Sequence, residues 1–474
     1  MTPLKSEEID RIAEQVVAHL KRENSAENPA PSSGGGIFGS VDSAVKAATL
    51  AQTQFVNLPL GRREEILANI RKRMLGSAEK LAKMAWEETG MGRWEDKVEK
   101  NRLVINKTPG TEILKPDAFS GDRGLTLLEL APYGVIGSIT PSTNPTSTII
   151  CNTIGMLAAG NSVVFNPHPN AEKVSIFNIR LINSAIVEAG GPENVVTTVE
   201  SPTIATASEL MTHPGIALLV VTGGEAVVQA AMKSGKRAIC AGPGNPPVVV
   251  DETADIDNAA ACIVQGASLD NNIICVLEKE IFVVDSVADR LISALAEHHA
   301  VILTEEQTGR LEKVIFSELR DPGKPGIMNK KYIGKNIQVI LREIGMDIPP
   351  GIRLAVAPVG EDHPLVWTEQ LLPVIPLVRV PDVDYGIDIA VRAEQGFRHT
   401  AVMHSRNIDK LSRMAKEINS SIFVKNGPSV AGLGYGGEAY CSFSIASPTG
   451  EGITNPRSFS RERRCVLVDH FRIV

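Results

Sequence analysis

From Val135 onward, short β-branched runs alternate with helix-length segments, and this alternation constrains the fold more than any other feature of the chain. Val135–Ile139, Ser162–Phe165, Val195–Val199, Leu218–Val221 and Val248–Val250 read as strands. Successive parallel strands need long crossovers, usually helical, so the pattern predicts a parallel α/β sheet. A second stretch of the same kind begins near Asp255. It has a helix to Ser268, a strand at Glu280–Val284, a helix at Val287–His298 and later strands around Pro373–Val378. Ahead of both, Ser43–Val104 is helical in pattern, with Leu67, Ile70, Met74, Leu81 and Met84 at core positions, so helices there are expected to cover one sheet face.

The 474 residues, 43% of them hydrophobic and 22% charged, suffice for a large core divided into two or three domains. A formal charge of -7 without a basic stripe argues against nucleic acid as the main partner. Apolar runs fall short of the roughly 20 residues that span a bilayer, and Met1 is followed by polar residues, so the expectation is a cytoplasmic protein. Cys151, Cys240, Cys262, Cys275, Cys441 and Cys465 show no spacing suited to a metal or a disulfide framework. Each taken alone reads first as a small buried hydrophobe.

Ile9, Ile12, Ala13, Val16, Val17 and Leu20 recur at spacings of three and four, which predicts an amphipathic helix over Ser6–Lys21. Ser6 is placed to cap it, and Asn24–Gly36, rich in Ser, Pro and Gly, reads as a flexible tether.

Four loops follow the strands of the first sheet, at residues 140–146, 166–170, 222–225 and 241–247, and ligands of open α/β sheets bind at that carboxyl edge. Thr222-Gly223-Gly224 is the best dinucleotide candidate, since glycines between strand and helix let a phosphate approach backbone N–H groups. A Gly pair there is as often a plain tight turn. Cys275 lies between polar, turn-prone residues that end a helix and an apolar run that precedes a strand, a loop position suited to a nucleophile. His399 and His404 read first as structural histidines and stay outside the catalytic set.

Taken in order, these loops resemble the aldehyde dehydrogenase superfamily, from about Ser43 to Val474. The resemblance implies two Rossmann-type α/β domains plus a β oligomerisation arm, built from residues 120–133 and the C-terminal segment. It divides the chain into a nucleotide and CoA-binding domain over 37–250, a catalytic domain over 251–435 and a C-terminal segment over 436–474, behind the targeting helix and linker of 1–36. Within the segment from Thr140 and Pro141 to Thr146 it assigns Asn144 to the oxyanion, and it assigns Cys275 as nucleophile. It gives NAD contacts to Thr140, Pro141, Asn166, Pro167, Thr222, Gly223, Gly224, Gly242, Glu369 and Leu371.

Two departures narrow the resemblance. Hydrolytic members carry a glutamate that activates water where this chain reads Ala241-Gly242-Pro243-Gly244-Asn245, and a ribose-binding lysine where it has Asn166. With the tail Ser447–Gly452, these are similar to the CoA-acylating aldehyde dehydrogenases of bacterial microcompartments. That implies conversion of propionaldehyde or acetaldehyde, CoA and NAD to acyl-CoA and NADH, in a homo-oligomer of two or four chains within a microcompartment lumen. Residues 6–21 would then meet shell or cargo proteins. The alternatives are a hydrolytic member using another base, a glutamyl-phosphate-reductase-like enzyme, and an inactive shell-associated cargo protein.

Overall fold

A computed structural model describes residues 34–474, so the helix expected at Ser6–Lys21 lies outside the described residues. Two parallel sheets organise the chain. The first runs Ile37–Phe38, Val196–Val199, Ser162–Pro167, Val135–Thr140, Leu218–Thr222, Ala238–Ala241, with every neighbouring pair parallel. The chain builds outward on one side of Val135–Thr140 and then returns to add Leu218–Thr222 on the other, which makes a topological switch point between these two strands. Helix Pro145–Ala158, which has no charged residue, is buried along its whole length and so exposes apolar surface on no side. The 30-residue helix Leu60–Thr89 packs over it, burying Ile66, Leu67, Ile70, Met74 and Leu81.

The second sheet has the order Ala300–Ile302, Leu354–Pro358, Val374–Val380, Glu280–Val284, Pro247–Val250, Thr400–His404, Ile422–Lys425 and is also parallel throughout. One strand lies in a different sheet from the one expected. Val248–Val250 is expected to close the first sheet, but it sits inside the second, with Val248 opposite Ile281 on one side and Val402 on the other. Alternation of strands and helices carries no information about which sheet a strand joins. The residues 242–246 take the chain from the carboxyl edge of one sheet to the amino edge of the next.

A third, antiparallel sheet joins Asp117–Gly121, Gly124–Pro132 and Ser460–Val468, with Leu127 opposite Cys465. It pairs the two β-rich segments with each other inside one chain, and leaves Val466, Val468 and Phe119 exposed. Among the described residues no helix is long and apolar enough to cross a membrane.

Candidate active site

The loops expected at the carboxyl edge of the first sheet are there. Thr140 and Pro141 end one strand of the switch point, and Thr222, Gly223 and Gly224 end the other. The helix Glu225–Met232 starts at Gly224 with no side chain capping its first N–H groups, and a Cβ at Gly224 would meet nothing within 4 Å. The buried Thr140 hydroxyl also lacks a partner. An anionic nucleotide fits such a crevice, with free donors at a helix start and room for close backbone approach. Asn166 turns its side chain into the fold. It is 3% exposed, and its amide is spent inside the fold, with Oδ1 accepting from Thr206 at 2.7 Å and Nδ2 donating to the Thr203 carbonyl at 3.3 Å. Pro167 ends the same strand, buried, and Gly242 lies against Pro448 of the tail.

The remaining groups collect at the amino edge of the second sheet. Cys275 precedes the strand Glu280–Val284, Glu369 and Leu371 precede Val374–Val380, and His399 precedes Thr400–His404. They therefore face the carboxyl edge of the first sheet across the seam that residues 242–246 cross. Gly244 is the point of closest approach. A Cβ there would lie 2.9 Å from the His399 ring and 3.0 Å from the Cys275 carbonyl oxygen, and its N–H donates to Glu369 at 3.3 Å. A residue with any side chain would push these groups apart, which gives this glycine a physical reason.

The loop before Cys275 is held in an unusual shape. Asp270, Asn271 and Asn272 all have left-handed φ, at 46°, 54° and 64°. Asn and Asp tolerate that region better than other side chains, and here each is pinned. Asn271 donates to the Gly334 carbonyl at 2.9 Å, Asn272 donates to the Ala267 and Glu278 carbonyls at 2.8 and 2.9 Å, and Asp270 accepts from the Arg93 N–H at 2.7 Å. Backbone strain of this kind persists only where the surroundings over-determine it.

Electrostatically the site is a buried mixture of both signs. Burial pushes the Cys275 thiol up to about 12, with Glu369 adding to the rise and Lys279 opposing it, so the resting group is a thiol. Burial brings Lys279 down to about 8. Its ammonium donates to the Asn272 backbone carbonyl at 2.9 Å and to the Asn272 side chain. His399 is fully buried and held down to about 4, chiefly by desolvation. Its Nδ1 lies 2.9 Å from the Thr400 hydroxyl, while Nε2 has no partner. A neutral imidazole with one unpaired nitrogen, sharing Gly244 with the cysteine, is placed to handle a proton. Sequence reasoning leaves this residue out because only the fold brings His399 to Cys275.

Burial likewise raises the Glu278 carboxyl to about 7, against hydrogen bonds from the Ser429 N–H and hydroxyl, both 2.7 Å. A carboxyl raised from 4.5 binds its proton more tightly in the folded chain than in the unfolded one. Its stabilising contribution is complete below about pH 4.5 and is lost as pH rises towards 7. Glu278→Gln is expected to flatten the slope of melting temperature against pH between 5 and 7. An unchanged slope would assign the dependence to other groups.

The aldehyde dehydrogenase family model matches residues 39–312, and the chain belongs to this family. Within it, the acetaldehyde dehydrogenase (acetylating) EutE of Escherichia coli (strain K12) is 50% identical over 472 residues, covering 99% of this chain and 100% of that protein. The Rhodopseudomonas palustris propionaldehyde dehydrogenase, solved with bound CoA and an acylated cysteine, is 49% identical with a TM-score of 0.89, over 92% of this chain and 99% of that one. A propionaldehyde dehydrogenase from the Clostridium phytofermentans fucose utilisation bacterial microcompartment is 46% identical with a TM-score of 0.90, over 93% and 100%.

Proposed function

We propose that this chain is a CoA-acylating aldehyde dehydrogenase that oxidises a short aldehyde, acetaldehyde or propionaldehyde, through a thioester on Cys275. The observation that carries the reading is at Gly244: residues 241–245 carry no carboxylate of their own and bring backbone up to the Cys275 carbonyl, beside His399 and Glu369. Relatives named for acetylating and propanoylating activity, and a neighbour solved with CoA and an acylated cysteine, support the same chemistry.

The Cys275 thiol has to lose its proton as substrate arrives, and His399 Nε2, which has no partner in the fold, receives it in the tautomer that carries its own proton on Nδ1. The thiolate attacks the aldehyde carbon. Asn144 and the Cys275 N–H receive the oxyanion, one such donor being worth about 3 kcal/mol. Thr140, Pro141, Pro167, Thr222, Gly223 and Gly224, with Gly242, Glu369 and Leu371, would hold NAD at the switch point, where it would supply the hydride acceptor. The thioester then awaits an acceptor. Residues 241–245 offer water no carboxylate base, whereas a CoA thiolate is already a strong nucleophile and needs none. The test is NADH formation from acetaldehyde, propionaldehyde and butyraldehyde with and without CoA. Free acid formed at an equal rate without CoA would favour the hydrolytic reading.

The antiparallel sheet with its exposed Val466, Val468 and Phe119 supports assembly into a dimer or tetramer. The apolar stripe of residues 6–21 on its tether supports docking to a microcompartment shell or cargo partner, and with it a place in the lumen. Deleting residues 1–36 should leave kcat within about twofold, since nothing in the site described above draws on them, yet abolish co-localisation with cognate shells. A truncated protein that still co-localises would remove the targeting role.

A further inference from the structure

The oxyanion residue is held by a neighbour that the mechanism above does not use. Asn144 is the N-cap of helix Pro145–Ala158, a position where an Asn side chain ordinarily accepts from the first-turn N–H groups, yet it makes no such bond. Instead its Oδ1 accepts from Lys100 Nζ at 2.6 Å, and its Nδ2 donates to the Thr143 hydroxyl at 3.1 Å. Lys97, three residues earlier on helix Trp94–Lys107, reaches the Thr143 carbonyl at 3.4 Å. Both ammonium groups converge on the Asp270 carboxylate, and all three side chains are at most 4% exposed. Asp270 opens the left-handed run that leads to Cys275.

We infer that Lys100 is a positioning residue for aldehyde oxidation: it holds the Asn144 amide with its oxygen inward and its NH2 group presented to the substrate oxyanion. This rests on Asn144 being the oxyanion donor. An ammonium carries three donors and no acceptor, so the atom facing it must be the amide oxygen, and a flip of the amide would set N–H against N–H. Burial brings Lys100 down to about 8, with Asp270 pulling upward, so it remains an ammonium at neutral pH. Its positive charge against Oδ1 also polarises the amide and strengthens the N–H on the far side. A donor free to rotate would lose part of the factor of 10²–10³ that one preorganised oxyanion donor supplies.

The test is the rate of the NADH burst on mixing full-length enzyme and NAD with propionaldehyde, which reads formation of the acyl-enzyme. Lys100→Met should slow the burst by about 10- to 100-fold while keeping a cooperative melt and near-wild-type NAD affinity, because Lys97 still pairs with Asp270. In an Asn144→Ala background the same substitution should change the burst by less than about twofold, since the group it orients is gone. An equal slowing in both backgrounds, or none in the wild type, overturns the inference while leaving Asn144 in its role. Asn144→Ala with an undiminished burst removes the oxyanion assignment and the inference together. Should Lys100→Met lose its cooperative melt, Lys100→Leu, which likewise offers no donor to Asn144, carries the same cycle with the same expected and overturning results.

Discussion

In the Cys275→Ala protein, CoA-dependent NADH formation from acetaldehyde or propionaldehyde should fall by roughly four orders of magnitude or more, the scale seen when a covalent nucleophile is removed. The loss should be in kcat. NAD should still bind, because the switch-point crevice of Thr140, Thr222, Gly223 and Gly224 draws nothing from the cysteine. Folding should be unchanged as well: the left-handed run before Cys275 is held by the side chains of Asp270, Asn271 and Asn272, not by the thiol. Mass spectrometry of the wild type, trapped with propionaldehyde and NAD in the absence of CoA, should place the acyl group on Cys275. An adduct on Cys240, the buried thiol at the end of the first sheet, would overturn the assignment.

The largest effect on stability is expected at Asp270. Its carboxylate is the shared counter-charge of Lys97 and Lys100, fully buried with them. It also receives the Arg93 N–H, while its own N–H donates to Asp96, which pairs with Arg353. Removing one member of a buried ion cluster strands the others, at a cost of about 3–5 kcal/mol. Asp270→Ala should therefore shift the denaturant midpoint downward by the equivalent of that energy, and Asp270→Asn by nearly as much, since the amide keeps the shape without the charge. Adding Lys97→Met and Lys100→Met to Asp270→Ala should recover most of the stability, because apolar groups of similar volume need no counter-charge. Activity should not recover with it. Wild-type stability in Asp270→Asn would mean that water or another carboxylate compensates the lysines.

Much of the framework is legible in the sequence because periodicity is a local signal. Strands read at Val135–Ile139, Ser162–Phe165 and Leu218–Val221 extend only one or two residues further, and the helix expected at Val287–His298 runs Asp285–Glu297. The loops of the first sheet follow directly, since parallel strands put all their ends on one side. Pairing between strands far apart is not local, so Pro247–Val250 could not be given its sheet. The same limit hides the site's second half. Residues at the starts of strands, Glu369, Cys275 and His399, come together only once the second sheet is seen to turn its amino edge to the first. Lys97 and Lys100 look like solvent-facing helix residues. Their one signal is spacing: with Asn101 and Val104 they fall at positions i, i+3, i+4 and i+7, a buried face where charged groups ask for a partner.

The antiparallel sheet that ties Ser460–Val468 to Gly124–Pro132 has a consequence for how the protein is made. On the ribosome the earlier strand emerges long before its partner exists, and in the interval it pairs only with Asp117–Gly121 on its other side. Its free edge carries Leu125, Leu127, Leu128 and Leu130, a leucine-rich row of unpaired backbone groups that another nascent chain can match. Slow translation between these two strands therefore lengthens the window for aggregation, and fast elongation or a chaperone that covers Gly124–Pro132 shortens it.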